Sequence, residues 1–449
     1  MLTLYVNVLS CLLCSYMLYR AYSKNNLIAV FYWSVFIFLV VGQAIHISIG
    51  LLDNDEVQYL FNIITRDGHF VSSVAVLLIV LMVIILEVFS SRTSHSEPFN
   101  RQMHISTLKS KYFGIYYFLN WVLFFLLTVL LIELAGGFNE WISAGRPGVF
   151  PGSTFFIVGL GSTMYPLLIK LASNLPTKLN DKLLFIMSTL VMLSFSRMLA
   201  VLHVFLLIVV YVYGTYRGEK VSLKRHRGAF IGAAFLIFIM MFGFGSYRHI
   251  APQIGSTSPL DVFNYIVENP EASLFSIDLN YRISNESMSG LSGVLSESLD
   301  KNELKADFGL SALLGGLIQL IPSWLRNFLG DFPDYVRSFY HYQNSIVGGG
   351  LEGFFVHFSF FGLLIYPFIF FVFAYGIHQK IISLQRSRTN YNKKLLALAI
   401  VGVFGLILIR GSTMHLVFFT LSELIVMYLA IIFFKSFHSI KRTETKCLS

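Results

Sequence analysis

Three arginines interrupt apolar runs in this chain. Arg197 lies in the short break Ser194-Phe195-Ser196-Arg197, Arg248 follows the run 229–247, and Arg410 closes the run 395–410 just before the run 412–434. An arginine inside or at the edge of a membrane span is costly and marks a functional position by default. Its planar fork pairs with phosphate through two parallel hydrogen bonds, which a lysine does not reproduce. Three such groups at one membrane face would bind a pyrophosphate-bearing lipid. The plainer reading is that each reaches the headgroup layer and meets lipid phosphate nonspecifically.

A second set of residues offers proton transfer. Glu352 follows Gly348-Gly349-Gly350 and precedes an aromatic run beginning at Phe354. A carboxylate beside a glycine turn could take a proton from a hydroxyl, or it could simply favour a helix N-terminus through the macrodipole. His357, near one turn further on, is read as sharing a face with Glu352, and His249, His341 and His415 fall on the same side of the membrane. No pair of these has a metal-ligand spacing such as H-E-x-x-H, so no metal is expected. Trp324, Tyr335, Phe339, Tyr340 and Tyr342 could stack on sugar rings or form an interfacial belt. A rival acidic site, Asp53-x-Asp55-Glu56, could equally be a solvated loop. Neither G-x-x-x-x-G-K-[ST] nor G-x-S-x-G occurs in the sequence, and the bare G-x-G-x-x-G spacing at Gly348, Gly350 and Gly353 does not support nucleotide chemistry.

These residues need a frame, and the composition says what it is. The 449 residues are 55% hydrophobic and 13% charged, with a mean hydropathy of +0.69. Soluble domains carry about 25% charged residues, so this is a polytopic, all-α membrane protein. Eleven candidate spans follow: 2–19, 27–52, 70–90, 112–134, 153–172, 183–196, 198–214, 229–247, 353–378, 395–410 and 412–434. The first begins without a basic leader and reads as a span rather than a cleaved signal. Cys11 and Cys14 form C-x-x-C inside that apolar run, where two buried thiols are expected rather than a redox or zinc site.

The run 183–214 is long for one span and short for two. Two short helices meeting at Ser194–Arg197 keep the loop charges alternating. The basic loops after spans one, three, five, seven and nine, together with the basic tail, then lie in the cytoplasm. That rule accounts for the net charge of +9 without any nucleic-acid partner. It leaves the N-terminus and the stretch 248–352 outside. This stretch carries twelve acids against six bases, opposite in sign to the rest. Its apolar segment 308–322 is too short to span and is expected to be re-entrant or interfacial. The chain thus divides into an N-terminal bundle of about eight helices (1–247), a large outer loop (248–352), and C-terminal helices with a cytoplasmic tail (353–449).

Several segments together resemble the Wzy-type O-antigen polymerases, or oligosaccharide repeat unit polymerases. The turn Ser194-Phe195-Ser196-Arg197-Met198-Leu199-Ala200 resembles that family's arginine-bearing hairpin, and Ser246-Tyr247-Arg248 the basic end of the helix before its large loop. Ile321-Pro322-Ser323-Trp324-Leu325 is similar to its Ile-Pro motif. Residues 350–362 resemble its Gly-Glu-x-Tyr-x-Asn-Phe-Gly stretch, with Leu351 inserted and His357-Phe358-Ser359 where Asn-Phe-Gly is usual. The resemblance implies a GT-C-like, inverting, metal-independent glycosyltransferase of the bacterial inner membrane, without cofactors and facing the periplasm. Its substrate would be an undecaprenyl-diphosphate-linked oligosaccharide. Arg197, Arg248 and Arg410 would hold the pyrophosphate, with Arg410 also stabilising the departing charge. Glu352 or His357 would take the acceptor proton, and Trp324, Tyr335, Tyr340 and Tyr342 would grip the glycan. Such enzymes often work with a chain-length regulator, though no residue here points to one. An O-antigen ligase shares this architecture and donor. A transporter or flippase for lipid-linked sugars predicts charges buried mid-span; Glu87 and Glu423 are the main residues of that kind.

Overall fold

The computed structural model describes residues 1–59, 62–91, 113–134, 136–137, 153–173, 175–215, 250–251, 253–256, 258–270, 287–301, 310–321, 350–385, 391–410 and 413–433, with single positions at 228, 231, 232, 235, 247 and 308. Among the described residues seven helices are long and apolar enough to cross a membrane: Leu2–Ser23, Leu27–Gly50, Arg66–Ser90, Tyr117–Leu134, Phe360–Leu384, Tyr391–Ile409 and His415–Ile432. The chain is therefore a multi-pass, all-α membrane protein. These seven match seven of the eleven expected spans. The expected spans 153–172, 183–196 and 198–214 are helical too, apart from Ser196, and 229–247 falls almost wholly outside the described residues.

The N-terminal helices are α1 (Leu2–Ser23), α2 (Leu27–Phe36) and α3 (Gly42–Gly50), the last two joined by a π-helical turn, Ile37–Val41. Asn26 starts α2 by accepting the Ala29 N–H at 3.0 Å, the usual task of an N-cap side chain. After α3 a hairpin, β1 (Glu56–Tyr59) against β2 (Asn62–Thr65), leads into α4 (Arg66–Ser91). Then come α5 (Phe113–Leu134), α6 (Ser153–Ala172), α7 (Leu179–Phe195) and α8 (Arg197–Thr215). The run 183–214 is thus two helices, as the charge pattern requires. The break is Ser196, extended at φ −151° and ψ 108°, whose hydroxyl accepts the Leu199 N–H at 3.4 Å and so begins α8.

The large loop contributes α9 (Pro259–Glu268), α10 (Ser287–Lys301) and α11 (Leu310–Gln319). Helix α11 is ten residues long, too short to span, and lies along the last helix of the chain. The remainder is α12 (Gly350–Phe358), α13 (Phe360–Phe371), a second π turn (Val372–Gly376), α14 (Ile377–Gln385), α15 (Tyr391–Phe404), α16 (Ile407–Arg410) and α17 (Thr413–Phe433). One span boundary moves. A single span was expected over 353–378, but Ser359 breaks it at φ 54° and ψ −145°. The span starts at Phe360, and 350–358 is a separate buried helix. Apolarity alone could not show this break, because both helices are apolar.

Contacts sort the bundle into two ends. At one end Glu87 pairs with Arg20 at 2.8 Å and with Lys24, and Lys170 with Asp181 at 2.7 Å. At that same end Tyr391 donates to the Tyr213 carbonyl at 3.0 Å. This is the end that carries the basic connections. The opposite end holds the hairpin β1–β2, α10, the start of α12 and the breaks at Ser196 and Arg410. Between the ends, Trp33, Phe36 and Phe370 pack edge-on or tilted at 5.0–6.0 Å between ring centroids.

Candidate functional site

The site is framed by a loop helix that behaves as part of the core. Residues 290–296 of α10 are all buried, though the sequence there, Gly-Leu-Ser-Gly-Val-Leu-Ser, is only moderately apolar. Small residues allow close helix approach, and the contacts on α4 show it. A Cβ on Gly68 would lie 2.1 Å from Ser296 Oγ and 2.7 Å from its Cα. Buried polar groups need partners, and Ser292 and Ser296 of α10 find them on neighbouring elements. The Met288 N–H donates to Gln43 Oε1 at 2.9 Å, satisfying one of the first donors of α10 that no helical carbonyl can reach. Ser292 Oγ lies 3.1 Å from His69 Nδ1 and 2.7 Å from Ser72 Oγ. His69 Nε2 faces the Ala44 carbonyl at 3.1 Å and Ser48 Oγ at 3.0 Å, and Asn7 Nδ2 joins from α1, 2.8 Å from Ser48 Oγ and 3.0 Å from Ser73 Oγ. Ser296 Oγ accepts the Thr65 N–H at 3.1 Å. Helix α10 is therefore tied by hydrogen bonds to α3, β2 and α4, with Asn7 of α1 in the same network.

Glu352 is the third residue of α12 and is 1% exposed. Its carboxylate occupies the space where Gly290 of α10 has no side chain: a Cβ there would lie 2.0 Å from Oε2 and 2.8 Å from Cδ. In the first helical turn its charge is favoured by the macrodipole. The helix also packs on α16, which ends at Arg410. His357 is likewise buried, and its carbonyl accepts the Phe308 N–H at 2.9 Å. Five residues of α-helix turn through about 140°, so Glu352 and His357 do not share a face of α12 as the sequence suggested.

Backbone register places two of the three arginines. The His203 ring of α8 meets Phe404 of α15 at 5.6 Å, and Tyr213 meets Tyr391 at the other end, so the two segments run antiparallel. Arg197 lies six residues outward of His203, and Arg410 six outward of Phe404 beyond the break at Gly405–Leu406, so both fall toward the same end of the bundle. Arg248, Trp324, Tyr335, Tyr340 and Tyr342 lie outside the described residues, as do Phe339, His249 and His341.

The rival acidic loop has a structural job. Arg66 Nε donates to the carbonyls of Leu51 (3.1 Å) and Asn54 (2.9 Å), and its Nη2 to that of Leu52 (3.1 Å). These bonds tie off the end of α3. Asp55, with its side chain 93% exposed, pairs with Arg66 at 3.1 Å, and Asp53 and Glu56 are also exposed.

Sequence reasoning flagged Glu87 and Glu423 as mid-span charges but missed the partner of the second. His203 Nε2 lies 3.2 Å from Glu423 Oε1, both fully enclosed. The imidazole donates from Nδ1 to the Leu199 carbonyl at 2.7 Å, which turns Nε2 toward the carboxylate, and Tyr165 donates its hydroxyl to Oε2 at 2.9 Å. The pair joins α8, α17 and α6 beneath Arg197. Among the described residues no three His, Cys, Asp or Glu side chains gather as metal ligands do, and Cys11 and Cys14 are free thiols. No family model matches the chain, and no curated protein or solved structure matches it either.

Proposed function

We propose that this chain is an O-antigen polymerase, an inverting glycosyltransferase working at the periplasmic face of a bacterial inner membrane. It would transfer a growing glycan from undecaprenyl diphosphate to a hydroxyl of the next lipid-linked repeat unit. The observation that carries the reading is the packing of α16, which closes at Arg410, on α12, which carries Glu352, with Arg197 opening α8 toward the same end of the bundle.

In this reaction the acceptor hydroxyl oxygen attacks the anomeric carbon as its bond to the pyrophosphate oxygen breaks. Charge builds on the leaving undecaprenyl diphosphate, where fixed cations act most strongly. The arginines would supply them, and Glu352 or His357 would receive the acceptor proton. Of the two acids a transporter reading would use, Glu87 pairs with Arg20 and Lys24 at the basic end of the bundle, and Glu423 pairs with His203 and Tyr165 in its interior, where each joins helices to one another.

The test is reconstitution in proteoliposomes with an undecaprenyl-diphosphate-linked repeat unit. Wild type should release undecaprenyl diphosphate and build multimers. Arg410→Ala should still bind the lipid-linked unit but turn over roughly 10- to 100-fold more slowly, the loss of one or two charge-assisted bonds. Movement of the unit across the bilayer without new glycosidic bonds would overturn the proposal.

A further inference from the structure

We infer that Gly290, on the loop helix α10, is the positioning residue for the Glu352 carboxylate. This rests on Glu352 taking the acceptor proton. The carboxylate sits in the space left by the absent side chain, 2.0 Å from where a Cβ would be. A methyl group there must push something aside, and the surroundings decide what moves. Helix α10 cannot back away easily. Gln43 holds its first turn, Ser292 is held by His69 and Ser72, and Ser296 touches Thr65 while its backbone abuts Gly68. Helix α12 is buried from Leu351 to His357 and its end is fastened by the Phe308 N–H. The atoms nearest the added methyl are the carboxylate at the far end of the Glu352 side chain, whose rotatable bonds are the softest coordinates in the contact.

An ordinary van der Waals contact is 3.4–4 Å against the 2.0 Å available, so Gly290→Ala displaces the carboxylate by more than about 1 Å. Misplacement of a reacting group by about 1 Å costs on the order of 100-fold in rate. Gly290→Ala should therefore lower kcat by that order while leaving KM for the lipid-linked donor unchanged, because the arginine end of the site is untouched.

A compensating substitution separates positioning from packing. Glu352→Asp shortens the side chain by one methylene and withdraws the carboxylate from the space beside residue 290. Alone it should be slow. Combined with Gly290→Ala it should turn over at least tenfold faster than Gly290→Ala alone, because the smaller acid accommodates the methyl group. If Gly290→Ala does not fold, recovery of the folded, active protein in the double variant carries the same conclusion. A double variant no better than the single one, folded or not, overturns the inference. Glu352→Gln distinguishes the two levels of failure. If it retains wild-type turnover, the proton-acceptor reading falls and the inference with it. If it is inactive while Gly290→Ala matches wild type, the inference alone falls.

Discussion

Replacing one member of the His203–Glu423 pair should damage the bundle far more than replacing both. The two side chains are 0% and 2% exposed and 3.2 Å apart, joined by the Tyr165 hydroxyl at 2.9 Å. With His203→Leu the carboxylate keeps Tyr165 but loses the group facing Oε1. With Glu423→Leu the imidazole edge loses its acceptor, and the tyrosine hydroxyl keeps only the backbone carbonyl of that residue, at 3.1 Å. Removing one partner of a buried ion pair costs about 3–5 kcal/mol, whereas apolar replacement of both is often neutral or better. The double variant should therefore lie within about 1–2 kcal/mol of wild type, and the cycle should return a coupling of at least about 3 kcal/mol. Cys14 provides the assay, being fully buried. In a background with Cys11 and Cys447 changed to serine, its reaction with a thiol reagent during equilibrium denaturation reports opening of the bundle. Additivity within about 0.5 kcal/mol would refute the reasoning, since the two groups would then not depend on one another.

Two further outcomes follow from the fold. Neutralising Asp53, Asp55 and Glu56 together should leave turnover within about twofold, because exposed pairs such as Asp55–Arg66 contribute about 0–1 kcal/mol; a loss near 100-fold in the proteoliposome assay would restore that loop as a catalytic site. Ser359→Gly should stabilise the protein by about 1–3 kcal/mol by relieving the φ 54° conformation, read as a shift in the denaturation midpoint. An unchanged or lower midpoint would contradict the strain.

Much of the frame was legible because lipid-spanning helices announce themselves through long apolar runs, and Arg197 with its flanking serines marked a break between two helices. What the sequence concealed was tertiary. Met288, Leu291, Val294 and Leu295 give Ser287–Lys301 one apolar helical face, but nothing in it signals that Ser292 and Ser296 are buried too, because the partners Gln43, His69, Ser72 and Thr65 lie over two hundred positions away. The sequence flagged Glu352, but the reason it fits lies in Gly290, a residue with no side chain to notice. His203 was hidden for a similar reason: a lone histidine in an apolar run carries no signal until Glu423 is seen opposite it. The break at Ser359 was invisible because serine seldom takes a positive φ.

The central claim, that this chain joins lipid-linked repeat units, is tested most directly by deleting its gene in the source organism and resolving the lipopolysaccharide by electrophoresis. The account predicts loss of the ladder with survival of a core-plus-one-repeat band, and return of the ladder with the wild-type gene but not with Arg410→Ala. Bare core with no repeat attached would contradict it and point to the ligase or flippase reading, and an intact ladder would show that the chain does not polymerise this glycan.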